Sequence, residues 1–125
     1  MSNKLLAMAL AGAIGTLSRW GLAEAVYALL GRDFPWGTVT VNLVGCLLYG
    51  LVWGLSLERG LIHDEVRMVL LVGFMGSFTT FSSLIFDSEV LLLEGRWLAL
   101  CANLAGQNFL GFAALFAGRL LSRLV

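Results

Sequence analysis

Apolar residues fill four long stretches of this chain, and polar residues gather in three short gaps between them. The first stretch runs from about Lys4 to Leu30, with a polar tail that puts its end near Tyr27. The others run from Trp36 to Leu57, from about Val66 to Leu93, and from Trp97 to Leu121. A bilayer core takes about 20 apolar residues per helix, so each stretch is long enough to cross it. The gaps are Arg32 to Pro35, Glu58 to Glu65 and Glu94 to Arg96, short enough to make neighbouring helices antiparallel. Pro35 precedes the second stretch, where a missing N–H is harmless. Trp36 and Trp97 open their stretches, as an interfacial aromatic belt requires. The pattern predicts an all-α membrane protein of four transmembrane helices, forming a single domain over residues 1–125.

The third stretch is unlike the rest. Gly73-Phe-Met-Gly-Ser-Phe-Thr-Thr-Phe-Ser-Ser83 holds two glycines, two threonines and three serines between the apolar flanks Met68–Val72 and Leu84–Phe86. Irregular polar backbone survives at membrane depth only where it is buried in protein or lines a cavity. The run therefore predicts a broken third helix, at a site that handles something small and polar.

Composition supports the membrane reading. Of 125 residues, 59% are hydrophobic and 13% charged, against roughly 25% charged in an average soluble domain. Mean hydropathy is +0.90. Formal net charge is zero, so no basic patch for nucleic acid is expected. Cys46 and Cys101 fall in apolar segments and read as small buried residues. His63 is the only histidine, and no zinc spacing exists. The first stretch runs on too far, without a clear cleavage site, for a secretory leader.

The polar residues within the spans each need a reason. Arg19 lies near the middle of the first span and must face protein or water. It reads either as an electropositive lure for an anion or as a hydrogen-bond hub bracing backbone carbonyls. Glu24 is five residues on, about 140° around the helix, and belongs at the interface. The amide of Asn42 can donate to an anion or satisfy a neighbouring helix, and Thr38 lies one turn before it. Asn103 and Gln107 share a face of the fourth span, which also carries Asn108. Such a polar stripe is either pore lining or interhelical glue. Gly50-x-x-x-Gly54 and Ala102-x-x-x-Gly106 are small-residue pairs that let helices approach closely. No nucleophile–base pair is evident, so the chain does not read as an enzyme. No carboxylate sits unambiguously at mid-membrane to shuttle protons. Amides, hydroxyls, one arginine and ring edges suit the passage of a small anion.

Three blocks resemble a known family, the Fluc-type fluoride channels (the camphor-resistance-B family). Gly12-Ala-Ile-Gly-Thr-Leu-Ser-Arg19 resembles its G-x-x-G-x-x-x-R. Pro35-Trp-Gly-Thr-Val-Thr-Val-Asn-Leu-Val-Gly45 resembles P-x-G-T-x-x-V-N-x-x-G. Gly73 to Ser83 resembles G-F-x-G-x-x-T-T-F-S-[ST]. The resemblance covers essentially the whole chain. It implies a passive, fluoride-selective channel that exports the cytoplasmic ion through two pores in an antiparallel homodimer of dual topology. It also implies a central structural sodium ion, held by the backbone carbonyls of Gly76 and Thr79. Asn42 and Phe81 map onto the pore asparagine and the first of two pore phenylalanines, and Arg19 onto the first-helix arginine. Thr38, Thr80, Ser82 and Ser83 are the candidates for a polar track beside the pore. The chain departs from the pattern at Leu84, where the family has its second pore phenylalanine, and Phe86 faces elsewhere on the helix. Asp87 stands where a glutamate is usual, and Gln107 and Gly111 stand where hydroxyls are frequent.

Two rival readings remain: a small dual-topology four-helix exporter of cations or drugs, and a non-conducting channel subunit. The exporter needs a membrane carboxylate in the first span, and Glu24 is badly placed for it. Leu84 is what favours the subunit. The implied setting is a bacterial-type inner (plasma) membrane, with lipid, fluoride and a second copy of the chain as partners. Five basic residues (Lys4, Arg59, Arg67, Arg119 and Arg123) lie on the side of the termini, and two (Arg32 and Arg96) on the other. That bias favours cytoplasmic termini, while the resemblance implies insertion both ways.

Overall fold

The structure is a computed structural model and describes residues 2–125. Every regular element among them is helical: α1 (Ser2–Leu30), α2 (Trp36–Trp53), π1 (Gly54–Glu58), α3 (Asp64–Met68), π2 (Val69–Met75), α4 (Gly76–Phe78), α5 (Phe81–Leu93) and α6 (Trp97–Leu121). Taken with their continuations, these make four apolar rods long enough to cross a membrane. The first helix runs past the expected end at Tyr27. Ala28, Leu29 and Leu30 continue it, and it stops at Gly31, where φ is +79° and the N–H bonds back to the Tyr27 carbonyl at 2.9 Å. Glycine takes that left-handed conformation at no steric cost.

Glycines set how closely the rods approach. α2 and α6 form the most extensive contact in the bundle. A side chain on Gly50 would strike the Leu115 carbonyl, one on Gly118 the Leu47 carbonyl, and one on Gly54 the Ser122 hydroxyl. The two backbones therefore touch along the seam. Ala102 and Gly106 meet the other half of the expectation differently. Ala102 is exposed and nothing lies near the missing Cβ of Gly106, so this pair packs on nothing within the chain. α1 lies along π2 and α4, with Gly73 against Met8 and Ala11, and Gly15 against Phe74 and Ser77.

The surface is strongly apolar. Leu93, Leu98, Phe109, Phe112 and Leu17 are among many large side chains left open. The interior is unusually polar, with Asn103, Gln107, Ser88, Thr38 and Thr80 buried beside Val41, Met75, Phe78 and Leu84. Lipid replaces water as solvent for the outer face, so the polar groups turn inward.

Each end of the bundle carries its own charges. At one, Glu58 pairs with both Arg119 and Arg123, and Arg67 reaches Asp64 at 2.9 Å. At the other, Arg96 meets Asp33 at 3.1 Å, and Glu24 meets Arg32 at 2.7 Å, as an interfacial carboxylate should. Exposed pairs of this kind contribute about 0–1 kcal/mol each. Their structural effect is to pin neighbouring loops together.

Candidate functional site

α4 ends after one turn, and side-chain hydroxyls bond the carbonyls just before its end. Ser77 Oγ shares its one proton between the Gly73 and Phe74 carbonyls, at 3.0 and 2.9 Å, and Thr79 Oγ1 donates to the Met75 carbonyl at 3.0 Å. Local hydroxyl bonds of this type compete with the helical ladder. Thr79 (φ −80°, ψ 159°) and Thr80 (φ −149°, ψ 111°) are then extended, and α5 begins at Phe81. Thr80 caps α5, its Oγ1 accepting the Ser83 N–H at 3.2 Å.

Asn42 holds this extended pair in place. Its Oδ1 accepts the Thr80 N–H at 2.8 Å, and its Nδ2 donates to the Thr80 carbonyl at 3.1 Å and to Gln107 Oε1 at 2.8 Å. The side-chain amide thus pairs with a peptide as another peptide would. Both of its protons are used, so of the two readings of Asn42 the intramolecular one is what the geometry displays. Gly45, one turn on, lets Thr79 lie directly against α2, because a Cβ there would collide with Thr79 Cγ2.

Two cavities flank Thr80. One, of about 420 Å³, brings together Arg19, Thr38, Val41, Thr80 and Ser83. No carboxylate lines it, and among the described residues the Arg19 guanidinium makes no hydrogen bond or ion pair. The hub reading of Arg19 therefore has no carbonyl to brace within the chain. Thr80 Oγ1 donates to Ser83 Oγ at 2.9 Å, which leaves the Ser83 proton free for the cavity. Thr38 spends its proton on Asp87 Oδ2, at 2.6 Å, and Asp87 lines a separate cavity together with Arg32, Asp33, Glu94 and Arg96. The other cavity, of about 350 Å³, is lined by Asn42, Cys46, Tyr49, Thr79, Thr80, Phe81, Leu84 and Leu115. Leu84 is buried there, while the Phe81 ring is 75% exposed at the mouth.

Not every anticipated residue meets the others. Ser82 is exposed on the outer face of α5 and lines neither cavity, although its Oγ is 3.4 Å from Thr80 Oγ1. Gly76 is exposed, and Phe86 points away, 64% open. The polar stripe of α6 bridges α2 and α5: Gln107 accepts from Asn42, its Nε2 donates along α6 to Asn103 Oδ1 at 2.8 Å, and Asn103 Nδ2 donates to Ser88 Oγ at 3.0 Å. Asn108 instead bonds the Leu104 carbonyl of its own helix. The polar run takes in Ser77 but not Ser88. A hydroxyl one turn after Leu84 in an apolar helix was the available signal for Ser88.

Comparison with known proteins bears on the chain as a whole. The family model for CrcB-like protein, Camphor Resistance (CrcB), matches residues 6–119. A protein of Solidesulfovibrio magneticus, named Fluoride-specific ion channel FluC, is 60% identical over 125 residues, all of both chains. One of the same name from Nitrosococcus oceani is 47% identical over all of both chains. Another from Geobacter sulfurreducens is 40% identical, over 95% of this chain and 96% of its own.

Proposed function

The chain belongs to the CrcB-like family, and from that premise we propose that it is a multi-pass membrane channel passing fluoride out of the cytoplasm, down its electrochemical gradient. The observation that carries the reading is the cavity in which unpaired Arg19 faces the Thr80 and Ser83 hydroxyls with no carboxylate in its lining. An anion entering a low-dielectric space needs donors to replace its water, and the Arg19 guanidinium and the free Ser83 hydroxyl proton are such donors. Fluoride enters cells as neutral HF and is trapped as the anion. An inside-negative potential drives it out, worth about 2.3 kcal/mol per charge per 100 mV. No step requires a chemical reaction. Glu24, the one carboxylate in the first span, is engaged with Arg32 at the helix end, which disfavours a proton-exchanging exporter.

In this reading the third helix is broken at Thr79 and Thr80, and the break has two uses. It opens the anion path past Thr38, Thr80, Ser83 and Phe81, with Asn42 and Leu84 on the facing wall. Ser82 touches this path only through its 3.4 Å contact with Thr80 Oγ1. The break also frees carbonyls for a cation. The amide four residues after Gly76 belongs to Thr80, and it donates to Asn42 instead. The amide four residues after Thr79 belongs to Ser83, and it donates to Thr80 Oγ1. Gly76 and Thr79 are thus among the carbonyls at the break without a helical donor, which fits a hard cation such as sodium. Two oxygens are too few for such an ion. A two-fold axis beside Gly76 in an antiparallel homodimer doubles them. A partner copy also covers the exposed Phe81 ring.

Fluoride and chloride efflux from proteoliposomes, with a potassium ionophore present, tests the proposal. Fluoride should leave far faster than chloride and without a pH gradient. Equal rates, or a requirement for the gradient, overturn it. No flux at all identifies a non-conducting subunit.

A further inference from the structure

Asn42 is the near end of a chain of hydrogen bonds that crosses three helices. Its Nδ2 donates to Gln107, Gln107 to Asn103, Asn103 to Ser88, and Ser88 Oγ to the Leu84 carbonyl at 2.7 Å. Every donor points the same way, from the Thr80 N–H to the Leu84 carbonyl. The direction is forced. A peptide N–H accepts nothing, so the Thr80 N–H requires an oxygen of Asn42 opposite it. That places the NH₂ of Asn42 toward α6, which requires the oxygen of Gln107 there, and so on along the chain. Each amide has one donating and one accepting end, so no member can turn alone without setting two like ends face to face. Asn103 is 0% exposed, Gln107 7% and Ser88 5%, so water cannot repair a reversed link. None of the three lines either cavity beside Thr80.

We propose that Gln107, Asn103 and Ser88 are positioning residues, a one-way chain of amides that locks Asn42 against the Thr80 peptide and so holds the donors of the site in register. They act through Asn42 and do not touch the ion. Their effect on transport rests on the channel reading above; their effect on Thr80 does not.

Gln107→Met keeps the length of the side chain and removes both of its hydrogen-bonding ends. Asn108→Ala, one residue on and off the chain, is the control that leaves flux unchanged. Gln107→Met should slow fluoride efflux about tenfold, the lower range for loss of a supporting partner behind a functional group. Exchange of the Thr80 amide with deuterated solvent should speed up by a similar factor, with the amides of α1 unchanged. Gln107→Glu separates direction from packing. A protonated carboxyl accepts with one oxygen and donates with the other, as glutamine does; an ionised one sets an oxygen against Asn103 Oδ1. Efflux by Gln107→Glu, divided by that of the wild type, should therefore rise to near unity at the acid end of a pH series and fall as pH rises. Cys46 and Tyr49 on α2, Glu58 on π1, Asp87 and Glu89 on α5, and Cys101 and Arg119 on α6 itself are the titratable and charged groups of the packed elements, and the wild type carries all of them. The proposal is overturned if Gln107→Met leaves both efflux and Thr80 exchange at wild-type values. It is equally overturned if Gln107→Glu stays as slow as Gln107→Met at acid pH. A wild type that moves no fluoride, yet shows the accelerated Thr80 exchange in Gln107→Met, overturns the channel reading and supports the chain.

Discussion

Asn42 makes three hydrogen bonds with one short side chain, two of them to the backbone N–H and carbonyl of a single residue, Thr80. Asn42→Asp converts both donated bonds into contacts between a carboxylate oxygen and a carbonyl. Each buried acceptor left unpaired costs about 1–3 kcal/mol. Fluoride efflux should fall at least tenfold, and the folded protein should melt earlier; a well-folded variant with full efflux removes Asn42 from the site. Leu84 poses the opposite question. It is buried against the cavity that Asn42 and Phe81 share, and its side chain offers no positive ring edge to an anion. Leu84→Phe should raise efflux several-fold if the aliphatic side chain is what limits the pore, and an unchanged or lower rate shows a pore adapted to leucine. Residue type alone revealed that Asn42, Arg19 and the Thr79–Ser83 run were unusual for a span. It did not reveal their partners. An amide can serve an ion or a neighbouring peptide with the same atoms, and only the position of Thr80 decides between them.

Helices were the most legible level, because four apolar stretches with polar gaps admit few other arrangements in lipid. Their ends were less so, as Leu30 shows, because a helix of good formers continues until a residue such as Gly31 takes a conformation that stops it. The wide turns Gly54–Glu58 and Val69–Met75 were not foreseen. Turns of this class commonly mark functional sites in helices, and they leave no hydrophobic period of their own to read. Close packing between elements could be foreseen from glycine spacing at Gly50 and Gly54 but not at Gly106, where the place of a Cβ is open space. Gly45 gives the sharpest test at this scale. Gly45→Ala drives a methyl group into Thr79, and overpacking of this kind costs about 1–3 kcal/mol. Thr79 must then move, so efflux should drop and sodium should support stability less well, while α2 remains helical by circular dichroism. Unchanged efflux in a stable Gly45→Ala variant would mean that Thr79 lies outside the working site.

Two assembly-level expectations follow for the whole molecule. Exhaustive replacement of sodium by a large organic cation should lower the thermal stability of the purified protein and slow efflux, and full recovery should follow when sodium is returned. Indifference to sodium removes the Gly76–Thr79 carbonyls as its ligands. For orientation, Ser2→Cys in intact and permeabilised cells, corrected for labelling of Cys46 and Cys101 in the parent, should react from both sides, with an excess of cytoplasmic termini. Reaction from one side alone refutes dual insertion. Neither assembly was legible from the residues without the family likeness, because an exposed apolar flank looks the same whether lipid or a second copy covers it. The charges at the bundle ends carry one more implication. The end with Glu58 holds five basic side chains against three acidic ones, while the end with Arg96 holds two against at least the three of Glu24, Asp33 and Glu94. A lone protomer is therefore polarised along its axis and should pass current more easily in one direction than in the other. Set head to tail, two such protomers cancel, each face of the membrane meets the same charges, and the current at a given voltage should keep its size when the voltage changes sign.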